Sequence, residues 1–463
     1  MSGDAKIEWR SVALGCQCIY SRQIRHYSLP RHKNSSTSWY KGHDMARKII
    51  KPGGFVPAAK SVEMHISMLQ IGMYVSKLDR DWLDTPFLLQ GFVIESLADI
   101  DMIAEYCEHV WIDIVEEEWV APDERALPTY RAPRNRYINK LAAQDEHRKA
   151  LSVYTASKSV AKEILEGVRL SGAIDTRSAK KTVDDCVNSV LRNPDALLWM
   201  SKLRESDSYT SEHCLNVCIL AIVFGRHLGM DEAQLQSLGL CGLLHDVGKM
   251  RIPNDVLNKP AKLSDKEMNM VKAHPVYGRN LLMSAKGVPL AAVDVAYGHH
   301  ERMDGEGYPR KLKASGISEY SRIIAIVDAF DAMTADRCYA PSMASTDALK
   351  NIFKDRGTHF DDRLALEFIK VIGLYPPGSI VELINGSIGL VLSKNHRFAH
   401  MPRVILVLDE NKQTIDEKIL NLAEVDAGNL DKGYLIRRVV PDGSHGVSIK
   451  DYQERGLRFG QMT

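Results

Sequence analysis

The sequence predicts a mainly α protein: a helical catalytic domain, a small α+β N-terminal domain before it and a short β extension at the C-terminus. Three observations carry that expectation. From about residue 140 to residue 337 apolar residues recur at helical spacing, with Ala161, Ile164, Leu165 and Val168 sharing one face. Ahead of this stretch lie short strand-like runs at 62–69, 87–94 and 110–114, around one helical stretch at 97–107. After Phe360 the runs 378–383, 388–392 and 403–408 alternate like strands, and Asn385-Gly386 is a strong hairpin turn.

A chain of 463 residues is too long for one compact core, so two or three domains are expected. Its 60 basic and 59 acidic residues leave a net charge of +1, which gives no global attraction to nucleic acid or to a membrane surface. Eight cysteines are scattered without repeated metal-ligand spacing; Cys16-x-Cys18 has no second pair downstream to complete a zinc site. Cys214, Cys218 and Cys241 sit among apolar helical residues, as free thiols in a reducing compartment do. No segment approaches the roughly 20 apolar residues of a membrane span, and no signal-type run opens the chain. A soluble, cytoplasmic protein is expected.

Taken in order, residues 1–61 read as a weakly ordered basic tail, rich in Arg and Lys and without periodicity. Residues 62–115 form the small α+β domain, and the acidic, Pro- and Arg-bearing stretch 116–139 is a linker. A helical connector follows at 140–197. Its apolar face either packs on the catalytic domain or pairs two subunits as a homodimer.

The catalytic domain spans 198–374. A helix over 211–229 places His213 near its start, and one over 235–244 delivers His245 and Asp246 at its C-terminal end. The capping box Ser264-x-x-Glu267 opens a helix read as ending at His274-Pro275. Residues 288–300 form the next, and 322–337 carries Asp328, with Asp331 close by. Packed helices that each send a ligand inward are a common way to build a metal site. The β extension covers 375–410; residues 411–463 show no motif and read as a C-terminal tail.

His245, Asp246, His274, His299, His300 and Asp328 are donors of the kind that hold first-row transition metals. A carboxylate can bridge two ions about 3.5–4 Å apart, the spacing of two-metal phosphoryl chemistry. Single His-Asp pairs arise by chance; a His-Asp-x-x-Lys step, a double His and a Gly305-x-Gly307-Tyr308-Pro309 loop in that order are far more specific. Glycines give the loop tight turns and Pro309 stiffens it, which suits a substrate-shaping segment. The residues alone reach as far as a two-metal hydrolase of a phosphate ester.

At these motifs the chain resembles the HD-GYP family, a branch of the HD phosphohydrolases, over roughly residues 198–374. The resemblance implies an HD-type helical domain and a metal-dependent phosphodiesterase that hydrolyses cyclic di-GMP to linear pGpG. It also implies two ligand sets: His213, His245, Asp246 and Asp328 for one ion, and shared Asp246 with His274, His299 and His300 for the other. Metal binding would lower the pKa of water enough to supply the nucleophile. Lys249 would neutralise phosphate charge, Arg337 in Asp336-Arg337-x-Tyr339 would hold a substrate phosphate, and Gly307, Tyr308 and Pro309 would shape the pocket. An all-N/O donor set points to iron or manganese.

The stretches Gly72-Met73-Tyr74-Val75 and Asp81-Trp82-Leu83 to Pro86-Phe87 resemble the small domain that often precedes HD-GYP domains, which implies a sensory role or signalling partners. Two departures stand out. Tyr209 occupies the place of a Glu that recruits a third metal in some members, which implies a two-metal centre. Ala340 replaces a second basic residue. The rival readings are a non-catalytic cyclic di-GMP receptor, which usually lacks a metal ligand, and an HD-type nucleotidase, which the Gly-Tyr-Pro loop disfavours.

Overall fold

The computed structural model describes residues 60–80, 85, 91–94, 97–114, 137–202, 209–259, 261–335, 343–395, 398 and 400–454. Residues 1–59 of the tail expected at 1–61, most of the linker and Arg337 lie outside them, while residues 60 and 61 already belong to a strand. The chain divides into two compact units.

The first unit is a four-stranded antiparallel sheet in the order β1-β4-β2-β3, with one helix. Its elements are β1 (Lys60–His65), β2 (Tyr74–Leu78), β3 (Phe92–Val93), α1 (Leu97–Tyr106) and β4 (His109–Ile114). Alternation buries Val110 and Ile112, and an irregularity between Val75 and Lys77 lets both Val75 and Leu78 be buried as well, as are Ile94 and Ile103. Of the strand expected over 87–94 the described part is Phe92–Val93; the run at 62–69 is a strand to His65 and a 3-10 turn at Ile66–Met68, while the expected helix and the strand before residue 115 are present.

The second unit opens with α2 (Ala143–Ser171), stopped by Gly172 at φ 72°, then α3 (Thr176–Arg192) and α4 (Pro194–Met200). The nearly all-buried α5 (Tyr209–His227) and α6 (Glu232–Leu244) cross closely at Gly242, where a Cβ would lie 2.9 Å from the Cys218 Cα. There follow α7 (Asn254–Leu257), α8 (Asp265–Val271), α9 (His274–Ser284), α10 (Leu290–Gly298), α11 (Glu319–Thr334), α12 (Ser345–Lys354) and α13 (Asp362–Ile372). A five-stranded antiparallel sheet, ordered β8-β7-β6-β5-β9, and the short α14 (Ile449–Glu454) complete the unit. Its strands are β5 (Ile380–Leu383), β6 (Ile388–Ser393), β7 (Arg403–Leu408), β8 (Thr414–Asn421) and β9 (Ile436–Val440).

Two expectations are corrected, and one choice between alternatives is decided. The face of α2 carrying Ala161, Ile164, Leu165 and Val168 takes the packing role of the two left open: it is buried against the chain's own helices. Tyr154 donates to the Asn216 Oδ1 at 3.3 Å and Lys158 meets Glu212 at 2.7 Å, which joins the connector to α5 of the catalytic bundle. The residues read as a tail after 410 hold β8 and β9, paired on opposite edges of the sheet. Both are edge strands with charged outward positions (Asp416, Lys418, Arg437, Arg438), so their hydrophobic alternation is weak. Finally, the helix opened by the Ser264/Glu267 capping box ends at Val271, and His274 begins a new helix with Pro275 in its first turn.

Candidate metal centre

Five segments of the helical bundle each deliver donors to one buried point. His213 comes from near the start of α5 and Asp328 from the middle of α11. His245 and Asp246 stand where α6 gives way to a 3-10 turn at Val247–Arg251. His274 opens α9, while His299 caps the C-terminus of α10 and His300 follows it. A Cβ on Gly248 would lie 2.0 Å from the His274 carbonyl, so only glycine lets the 3-10 turn sit against the start of α9.

The donor atoms fall into two groups, each within 4.8 Å: His213, His245 and Asp328, and Asp246, His274, His299 and His300. Asp246 joins them. Its Oδ2 lies 3.6 Å from His213 Nε2 and 3.4 Å from His245 Nε2, while its Oδ1 lies 3.2 Å from His274 Nε2 and 3.7 Å from His299 Nε2. Asp328 Oδ1 is 3.1 Å from His213 Nε2 and 3.8 Å from His245 Nε2.

The other ring nitrogens fix the imidazoles in place. Nδ1 of His245, His274 and His299 meets the carbonyls of Gly242, Val271 and Val295 at 2.7, 2.7 and 3.0 Å, and Nδ1 of His213 meets Asp331 Oδ2 at 2.8 Å. Each Nε2 is thereby directed inward, the orientation of metal-ligating histidines. His245 Nε2, His300 Nε2 and Asp246 Oδ1 are buried without a hydrogen-bond partner. Buried polar atoms are rarely left so, and three of them in one cluster fit a centre built for divalent cations.

Residues 196–364 match the model of the HD domain, and residues 61–179 match a domain of unknown function. The cyclic di-GMP phosphodiesterase PA4108 of Pseudomonas aeruginosa is 36% identical over 375 residues, 79% of this chain and 90% of the relative. The chain belongs to the HD-GYP family. Two shorter matches agree: RpfG, a cyclic di-GMP phosphodiesterase response regulator of Xanthomonas campestris, is 36% identical over 34% of this chain and 42% of its own length. The 3'3'-cGAMP-specific phosphodiesterase 1 of Vibrio cholerae is 35% identical over 33% of this chain and 36% of its own.

Electrostatics prepare this HD-GYP centre for cations. Burial holds the His274 pKa down at about 4, and burial with His299 and His274 alongside pushes that of His300 well below the usual value. Both rings are therefore neutral at pH 7, the form that ligates. Burial also opposes protonation of His245, but Asp246 and Asp328 outweigh it and raise its pKa to about 10. Burial disfavours the Asp246 carboxylate, yet Lys249 and His245 hold its pKa well below the ordinary range. Lys249 Nζ contacts Asp246 Oδ2 directly. Without ions, cationic side chains thus balance the carboxylates.

The Gly-Tyr-Pro loop forms a wall of the centre. Tyr308 stacks on His300 with ring centroids 4.7 Å apart, and its N–H donates to the His300 carbonyl at 3.1 Å. Gly307 packs on the backbone of Glu301 and Arg302, where a Cβ would lie 2.5 and 2.4 Å from the Cα of one and the N of the other. Pro309 is half-buried beside them.

Two residues were not assigned roles from the sequence. Glu301 accepts the N–H groups of Arg310 and Leu312 at 2.7 and 2.9 Å, tying down the far end of the loop. Asp331 orients His213. Its place one turn after Asp328 was a visible signal, since residues three apart share a helix face.

Proposed function

We propose that this HD-GYP protein hydrolyses cyclic di-GMP, giving linear pGpG as the main product. The observation that carries the reading is the division of the Asp246 carboxylate, one oxygen toward each histidine group. Two divalent ions, iron or manganese, would be held by His213, His245, Asp246 and Asp328 on one side and by Asp246, His274, His299 and His300 on the other. Bound there, the ions would activate water and withdraw charge from a phosphodiester.

The protein's own groups supply the rest. Lys249, with its side chain one-fifth exposed beside Asp246, offers a cation for the charge that builds on phosphorus oxygens. Tyr308, stacked on His300, presents an aromatic edge to a substrate entering over Gly307 and Pro309. Arg337 would bind the second phosphate. Tyr209 in place of a carboxylate limits the centre to two ions, because a phenol with a pKa of about 10 is a poor anionic ligand at neutral pH. Among the described residues no helix is long and apolar enough to cross a membrane, which fits action on a cytoplasmic messenger alongside signalling partners.

A second substrate is favoured by one observation, the likeness to a 3'3'-cGAMP-specific enzyme. That match covers a third of the chain, against 79% for the cyclic di-GMP phosphodiesterase, so cyclic di-GMP is preferred. A receptor that does not turn over is disfavoured by the complete donor set. The test incubates the full chain, loaded with Mn(II) or anaerobically with Fe(II), with each dinucleotide and separates products by chromatography. Conversion of cyclic di-GMP to pGpG in preference to cGAMP is expected. Intact cyclic di-GMP in a two-ion protein would reject the assignment.

A further inference from the structure

The two halves of the centre are not equivalent. Around His213 and His245 stand two carboxylates, Asp328 and the Oδ2 side of Asp246, whereas His274, His299 and His300 share only the Oδ1 side of Asp246. The difference is deepened behind His213. Nδ1 of His245, His274 and His299 meets backbone carbonyls, whereas Nδ1 of His213 meets a carboxylate, Asp331, at 2.8 Å. Both partners are buried, His213 at 3% exposure and Asp331 at 2%. With Nε2 given to a metal, Nδ1 keeps the proton and donates it to Asp331. A carboxylate in that position makes the imidazole a stronger donor and adds negative charge close to a desolvated dication.

From this arrangement we infer that Asp331 is a positioning residue, which makes the His213–His245–Asp328 half the tighter of the two metal sites and leaves the three-histidine half as the exchangeable one. The inference rests on the two-ion reading above but not on the identity of the substrate. Asp328 and Asp331 are one turn apart on α11, so a single rigid helix face fixes a ligand and the group that orients another ligand. In the second half, Nδ1 of His274 and of His299 rests instead on the backbone carbonyls of Val271 and Val295.

The test titrates chelator-stripped full-length protein with Mn(II) in competition with a metal-sensitive dye, without substrate. The parent is expected to bind two equivalents, the first at least about tenfold tighter than the second. Asp331→Asn keeps the shape and an acceptor oxygen but removes the charge; it should weaken the first equivalent by about ten- to a hundredfold and leave the second unchanged. His300→Ala, which leaves Asp331 intact, should lose the weak equivalent and keep the tight one. Thermal unfolding of the metal-free proteins checks that each variant folds. Equal affinities in the parent, equal weakening of both sites by Asp331→Asn, or loss of the tight equivalent in His300→Ala would each overturn the inference. A parent that binds two unequal ions but leaves cyclic di-GMP intact would refute the substrate and leave the role of Asp331 standing. A parent that binds no Mn(II) would overturn both.

Discussion

Lys158 of α2 meets Glu212 of α5 at 2.7 Å, one residue before His213, and the Glu212 side chain is 3% exposed. The long helix that precedes the catalytic motifs therefore bears on the turn that presents the first ligand. Removing the lysine would take a cation away from a buried carboxylate, and breaking a buried pair from one side costs more than the intact pair contributes. Lys158→Ala is expected to lower unfolding stability by about 1–3 kcal/mol, and adding Glu212→Gln should recover part of the loss. Urea unfolding of the three variants checks this. A single variant as stable as the parent would show that Glu212 is satisfied without Lys158.

Asp246 serves both histidine groups, so its removal uncouples them while leaving each ring in place. Asp246→Ala is expected to lower turnover of cyclic di-GMP by at least about a thousandfold, roughly 4 kcal/mol in barrier, and to reduce bound metal below one equivalent. Elemental analysis beside the kinetic assay separates the two effects. Near-parent turnover would remove the bridging role.

Six of the seven proposed ligands were legible as a cluster of donor residues in a specific order, whereas His213 was assigned only through the resemblance to the HD-GYP family. Chemistry did the rest, since a double His next to a Gly-rich loop has few other uses. What was not legible depended on pairing across the fold. Asp331, although visibly one turn after Asp328, has no assignable role until His213, 118 residues earlier, is seen against it. The strands β8 and β9 were missed because edge strands carry charges where central strands carry Val and Ile, as the wholly buried β6 does. The break between α8 and α9 was missed because a Pro at a helix start and one just past a helix end look alike in sequence.

His147 of α2 lies edge-on to Trp199 with centroids 5.5 Å apart, and burial lowers its pKa to about 4. The folded state therefore binds this proton less readily than the unfolded chain, whose histidines titrate near 6.5. Between pH 6.5 and 4 the unfolded state gains a proton that the folded state refuses, so stability falls as pH falls through that window. The full shift corresponds to about 3 kcal/mol at most. His147→Phe should flatten this acid limb while leaving stability near pH 8 within about 1.5 kcal/mol of the parent. Chemical denaturation at several pH values is the measurement, and an unchanged acid limb would assign the slope to other groups.

Gly307 and Gly305 differ in what they permit, and that difference gives a paired test of the loop. At Gly307 an added Cβ would meet the backbone of Glu301 and Arg302 at 2.5 and 2.4 Å, atoms that cannot move aside without shifting the His300–Tyr308 stack. At Gly305 the obstacle is conformational: φ is +80°, and the nearest atom to a Cβ, the Leu312 carbonyl oxygen, is 3.9 Å away. Gly305→Ala should therefore cost about 1–2 kcal/mol of local strain with a small kinetic effect. Gly307→Ala should displace Tyr308, and a misplacement of about 1 Å at a reacting site lowers turnover by about a hundredfold. Steady-state kinetics on metal-loaded protein, with metal content measured in parallel, distinguishes the two. Equal and slight effects from both substitutions would mean that the loop's shape does not limit the reaction.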